Sequence, residues 1–115
     1  MRHDIHDLIG KACMTPDEGQ KVYDLIYPEL VANRPVELDF ARVEIFASPF
    51  FNFAIGQLLR DISPDTLNRL LKFSHLNPVG RHVLTRVIEN SKQYYSNENT
   101  RKAVDEVVSE QANSF

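Results

Sequence analysis

Apolar positions recur along this chain with two periods, and proline sets the phase of one of them. Thr15-Pro16, Ser48-Pro49, Ser63-Pro64 and Asn77-Pro78 each place a side chain able to cap a helix directly before a proline. The cap oxygen accepts a bond from an orphan N–H of the first turn. Proline at the first helical position gives up a donor that has no partner there. Four helix starts follow, and at Thr15 the signal is strengthened by Glu18, which completes a Thr-x-x-Glu capping box. Behind Pro16, Val22, Leu25, Ile26 and Leu30 recur at three- and four-residue spacing. Behind Pro49, FFNFAIGQLL is apolar on nearly every side, the pattern of a helix buried against a sheet. Behind Pro64, Leu67, Leu70 and Leu71 make a short stripe. Behind Pro78, Val79, Val83, Leu84, Val87, Ile88 and Tyr95 form one long face, with Arg81, Arg86, Glu89 and Lys92 opposite. Pro28 and Pro35 follow no capping residue; Pro28 is expected to kink or end the first helix, and Pro35 to lie in the loop after it. Val104, Val107 and Val108 among charges predict a terminal helix over 98–112.

The second period is two. Val36, Leu38 and Phe40 alternate with Glu37 and Asp39, and Leu71 to His75 alternates likewise. Strict alternation marks strands with one buried face and one polar face. Between Asp4 and Met14 the pattern is ambiguous: Ile5, Leu8 and Ile9 could form an edge strand, and Gly10 could turn the chain into a second short strand at Ala12-Cys13-Met14. The resulting order is one or two strands, helix, strand, two helices, strand, two helices. The expected architecture is α/β, a small mixed sheet with helices packed mainly on one face.

Composition narrows the function classes. A chain of 115 residues, 43% hydrophobic and 25% charged, reads as one globular domain over 1–115. Thirteen Lys+Arg against sixteen Asp+Glu give a net charge of −3. Without a basic tract, neither nucleic acid nor an anionic membrane surface is an expected partner. One Cys excludes an internal disulfide framework and a Cys-based zinc knuckle. The N-terminus has no long apolar run, and no stretch of 18 apolar residues occurs, so a cytoplasmic domain is expected.

The stretch LDFARVEIFASPFFNFAIGQLL runs strand, loop, serine, buried helix. With GQKVYDLI before it and an Asn-Pro helix start after it, it resembles the STAS-like domains, relatives of the sulfate-transporter and anti-sigma-factor-antagonist fold. The likeness is closest to a small stand-alone branch of unknown function, and it covers roughly residues 4–96. The resemblance implies a STAS-like fold and a protein–protein interaction role in a bacterial regulatory circuit. In the anti-sigma factor antagonists, a serine at the start of the helix after the central strand is phosphorylated by a histidine-kinase-like ATPase. The matching residue is Ser48. The family pattern there is roughly Asp-Ser-Ser-Gly, whereas this chain has Ala47-Ser48-Pro49-Phe50, lacking the acidic residue and carrying Pro49 in the serine pair. Fold and interaction role therefore carry over more directly than phosphorylation.

The residues offer further chemistry, each with a plainer reading. Ser48 is a partner contact or modification site, or simply an N-cap. With the neighbouring loop it nominates Arg42, Glu44 and Ser48 as the partner-binding surface. His3, Asp4, His6 and Asp7 resemble metal ligands, yet His75 and His82 are distant in sequence, and a solvated N-terminus is the simpler reading. Cys13 between Ala12 and Met14 reads as a buried structural thiol rather than a nucleophile. Glu37 and Asp39 share one strand face and could do acid–base work, or Asp39 could bond the following turn. Asn52 must face outward or find a partner, and Gly56 points to close backbone packing. Tyr94-Tyr95 suits a partner patch, or one ring in the core and one half exposed. The reading that follows is a non-enzymatic interaction module without cofactor or metal, with a kinase-like ATPase or a second copy of the chain as partner. The alternatives are a nucleotide- or anion-binding sensor using the helix start at Ser48, and a hydrolase using Asp39, Glu37 or the HDIHD segment.

Overall fold

The computed structural model of the chain describes residues 1–95; the expected helix over 98–112 lies outside them. The element order is β1 (Arg2–Asp4), α1 (Ile5–Leu8), β2 (Ala12–Cys13), α2 (Pro16–Val31), β3 (Val36–Asp39), β4 (Ile45–Phe46), α3 (Ser48–Ala54), a 3₁₀ turn (Gly56–Arg60), α4 (Pro64–Leu70), β5 (Leu71–Ser74) and α5 (Pro78–Tyr95).

The architecture is α/β, as the alternation predicts. The sheet is not mixed, however. β1, β3 and β5 form a three-stranded sheet in that order, β2 and β4 a two-stranded one, and every pairing is parallel. The reason is connectivity: each strand of the larger sheet reaches the next through a helical crossover, which returns the chain in the same direction. Because successive crossovers step the same way across the sheet, their right-handedness puts the helices on one face. Val36 and Leu38, 1% and 0% exposed, face that layer, while Glu37 and Lys72 on the other face reach solvent. The register aligns Arg2 with Glu37 and Lys72, and Asp4 with Asp39 and Ser74, so the polar face carries interleaved charges.

Three of the four proline-marked helix starts are capped as expected. Thr15 Oγ1 accepts from Glu18 N–H at 3.1 Å, and Glu18 Oε1 accepts from Thr15 N–H at 3.0 Å, so the capping box is complete. The N–H groups of Met14 and Thr15 hold the Glu18 carboxyl below its usual range. Ser63 accepts from Thr66 N–H at 3.2 Å, and Asn77 from Gly80 N–H at 2.8 Å. The fourth start differs. Ala47, not Ser48, is the N-cap of α3, no side chain caps it, and Pro49 falls at the second helical position. The pairing of β4 with β2 decides this, because Ala47 N–H donates to Cys13 O at 3.0 Å and holds the chain extended one residue short of the serine.

Pro28 lies inside α2 and does not end it; the helix runs on to Val31. Asn33 stops it, with φ of 66°. Its N–H donates to Leu30 O at 3.0 Å, and that of Arg34 to Glu29 O at 2.9 Å, the Schellman pattern that a left-handed asparagine supports. At the N-terminus the strand is Arg2–Asp4, and Ile5 to Leu8, expected as an edge strand, form a single helical turn instead. Asp4 causes the switch, accepting from Asp7 N–H at 3.1 Å as an N-cap.

The FFNFAIGQLL segment is not one helix sealed on all sides. It breaks after Ala54 into the 3₁₀ turn, and Phe53 is 42% exposed. Its remaining apolar residues fill the core: Phe50, Phe51, Ile55 and Leu58 are fully buried. Phe51 is the hub, with ring centroids 5.2, 5.7 and 6.0 Å from Phe50, Phe46 and Phe40. On α5, Leu84, Val87 and Ile88 are buried as the stripe predicts, while Val79 in the first turn is exposed.

Candidate interaction surface

The segment between β3 and α3 begins at Asp39. Its Oδ1 accepts from Ala41 N–H at 3.0 Å, and Val43 N–H closes the turn on Phe40 O at 3.0 Å. Arg42 sits at the third position of this turn with φ of 70°, a backbone conformation that residues other than glycine rarely take. Its guanidinium reaches Asp4 at 3.5 Å and Asp7 at 3.9 Å. The N–H groups of Glu44 and Ile45 then both donate to Lys11 O, and β4 locks onto β2. The backbone is therefore fixed at both ends, while the side chains of Arg42, Glu44, Ile45, Ser48 and Pro49 are exposed.

Asp39 is 6% exposed and engages three groups: the Ala41 N–H, His75 Nδ1 at 2.9 Å and the Arg2 guanidinium. The Ala41 N–H, then the hydrogen bond with His75, hold its carboxyl below the usual range. His75, like Arg42, has a left-handed backbone, with φ of 57°. Glu37 accepts from Ser74 Oγ at 2.6 Å and pairs with Arg2 at 3.7 Å. The two carboxylates do share one face, as their spacing predicts, and both are tied into the sheet's own network.

The HDIHD segment is dispersed by the fold. His3 lies on β1, Asp4 caps α1, and Asp7 pairs with Arg42. Among the described residues no group of three or more His, Cys, Asp or Glu is arranged to hold a metal ion. Cys13 is fully buried in the core, and burial pushes its thiol up to about 12, so it is a structural residue.

Ser48 does not cap, but it borders a cleft. A hollow of about 290 Å³ lies between α3 and α5, with Ser48 and Asn52 on one wall and His82, Arg86 and Asn90 on the other. A second hollow of about 430 Å³ shares Asn52 and Asn90 and continues to Phe53, Gln57 and Tyr94. Together they make one groove along α5. Gly56 forms part of its floor: a Cβ there would stand 2.5 Å from Ser91 Oγ, so α5 closes on the 3₁₀ turn through this pair of small residues. Asn52 faces outward into the groove, and Tyr94 is 71% exposed beside the half-buried Tyr95. The sequence pattern marks Ser48, Asn52 and Tyr94 singly. It does not bring them together, because their union depends on how α5 lies across α3. β4 is missed as well, since two residues are too short to show alternation.

No described helix is long and apolar enough to cross a membrane. A family model described as a STAS-like domain of unknown function (DUF4325) matches residues 18–81, from the first turn of α2 to the first turn of α5. No curated protein and no solved structure matches the chain.

Proposed function

The chain belongs to this family of STAS-like domains, and from that premise we propose that it is a non-enzymatic protein–protein interaction module of a bacterial, cytoplasmic regulatory circuit. The observation that carries the reading is the Arg42–Pro49 segment. Its backbone is pinned by β2 and by the Asp39 turn, and while Val43 anchors it in the core, Arg42, Glu44 and the apolar Ile45 point outward. A surface preorganised in this way loses little conformational freedom on binding, which favours recognition. The partner proposed is a histidine-kinase-like ATPase, with Ser48 as the residue it contacts or phosphorylates. A phosphate there would lie on the cleft that holds Arg86 and His82, where charge-assisted bonds can form.

The test is a calorimetric titration against histidine-kinase-like ATPases of the same organism. Glu44→Arg is the informative variant, because the Glu44 side chain is exposed and its backbone bond survives substitution. Affinity should fall at least about tenfold, the effect of reversing one charge at a complementary interface, with the melting temperature unchanged. Equal affinity in wild type and variant would refute the surface. Incubation with the ATPase and ATP, followed by peptide mass spectrometry, tests Ser48 separately.

A further inference from the structure

The Ser48 end of the groove between α3 and α5 is shared with the Arg42–Pro49 surface, but the groove runs on past it with features that surface does not use. Phe53 and Tyr94 are 42% and 71% exposed, although Phe50 and Phe51 beside Phe53 are sealed in the core. Exposed aromatics and arginine are the residue types that anchor interfaces. Between them, Asn52 and Asn90 line both hollows. Side-chain amides offer donors and an acceptor, which matches the backbone of an extended chain. Arg86 and His82 stand at one end, and Glu89, the acidic residue one turn on from Arg86, does not line the groove. The groove is therefore cationic at one end, amide-lined in the middle and aromatic at the other.

Its length sets a spacing. From Arg86 to Tyr94 is eight residues of α5, or about 12 Å at the helical rise. An extended chain covers that distance in about four residues at ~3.3 Å each. We propose that the groove receives an extended segment of a partner protein carrying a carboxylate side chain at the Arg86 end and an aromatic or large aliphatic side chain, about four residues away, between Phe53 and Tyr94. This rests on the reading of the chain as an interaction module and names the chemistry of what it recognises.

The probe is a random dodecapeptide library displayed on phage and selected against the full chain, with enriched sequences synthesised and titrated by calorimetry. The expected consensus pairs Asp or Glu with an apolar residue at about four-residue separation. Arg86→Glu and Tyr94→Ala should each weaken binding at least tenfold without loss of circular-dichroism signal, and a peptide with its acid changed to Lys should regain affinity for Arg86→Glu. Enriched peptides lacking the acid, or no enrichment at all, would overturn the proposal. So would binding that both variants leave intact. Peptides that respond to Glu44→Arg and not to Arg86→Glu would overturn the groove while leaving the interaction reading in place. The Glu44→Arg titration against the ATPase tests that reading at a residue that lines neither hollow.

Discussion

Gly19 is where helix propensity and tertiary packing give opposite predictions. It closes the first turn of α2, and on propensity alone alanine should stabilise the helix by about 1 kcal/mol. The structure reverses the sign. A Cβ at Gly19 would stand 2.3 Å from Phe50 O, 2.9 Å from Phe53 Cβ and 3.0 Å from Ala54 N, where ordinary contact begins at 3.4 Å. The nearest atoms are backbone and the root of a side chain, so no rotamer change relieves them. α2 and α3 must separate by roughly 1 Å, and among the described elements theirs is the most extensive contact. Overpacking of this kind costs about 1–3 kcal/mol and sometimes more. A 2.3 Å approach to a backbone oxygen puts the cost at the upper end of that range, about 3 kcal/mol, so after the propensity gain of about 1 kcal/mol Gly19→Ala should lose about 2 kcal/mol. In a domain of this size that lowers the melting temperature by roughly 8–16 °C. Urea and thermal unfolding followed by far-ultraviolet circular dichroism measure it. Gly56→Ala is the internal control: its closest contact is the Ser91 hydroxyl, which can rotate, and its next is Val87 Cγ1 at 3.4 Å, so its loss should be smaller. A Gly19→Ala protein as stable as wild type, or more so, would refute the packing of α2 on α3 described here.

Three further outcomes follow from the caps, the carboxylates and the thiol. Ser63→Ala should cost about 1 kcal/mol by urea denaturation, because Ser63 caps α4. Ser48→Ala should stay within about 0.5 kcal/mol, because Ser48 caps nothing; equal losses would contradict Ala47 as the α3 cap. Asp39 has its folded carboxyl depressed, first by the Ala41 N–H and next by His75, so its contribution is present above the unfolded value of 3.8 and is lost as pH falls through the lower folded one. Asp39→Asn should lower stability at neutral pH and flatten the acid limb of a stability profile taken between about pH 6 and pH 2; an unchanged slope would contradict the network. Cys13, buried and with its thiol raised to about 12, should resist alkylation at pH near 8 in the folded protein and react once urea exposes it.

The local grammar is legible in the residues alone. Helix starts at Pro16, Pro64 and Pro78 are written in side chains that satisfy N–H groups three residues away, and the strands at Val36 and Leu71 in alternation over four residues. These are short-range effects, and they operate wherever the segment lies. The same motif failed at Ser48 because a partner strand from the N-terminus, the Cys13 carbonyl, set where α3 begins. Pro28 does not end its helix, because one missing N–H near a helix end is tolerated, and Asn33 ends it instead. Parallel pairing, the position of β4, the solvent exposure of Phe53 and the groove joining Ser48 to Tyr94 arose only when elements distant in sequence were brought into contact. Of the proposed surface, the exposed loop of Arg42 and Glu44 was legible as charged residues between a strand and a helix. Its rigidity was not, because backbone bonds to Lys11 and the pairing of β4 with β2 leave no trace in the residues that make them.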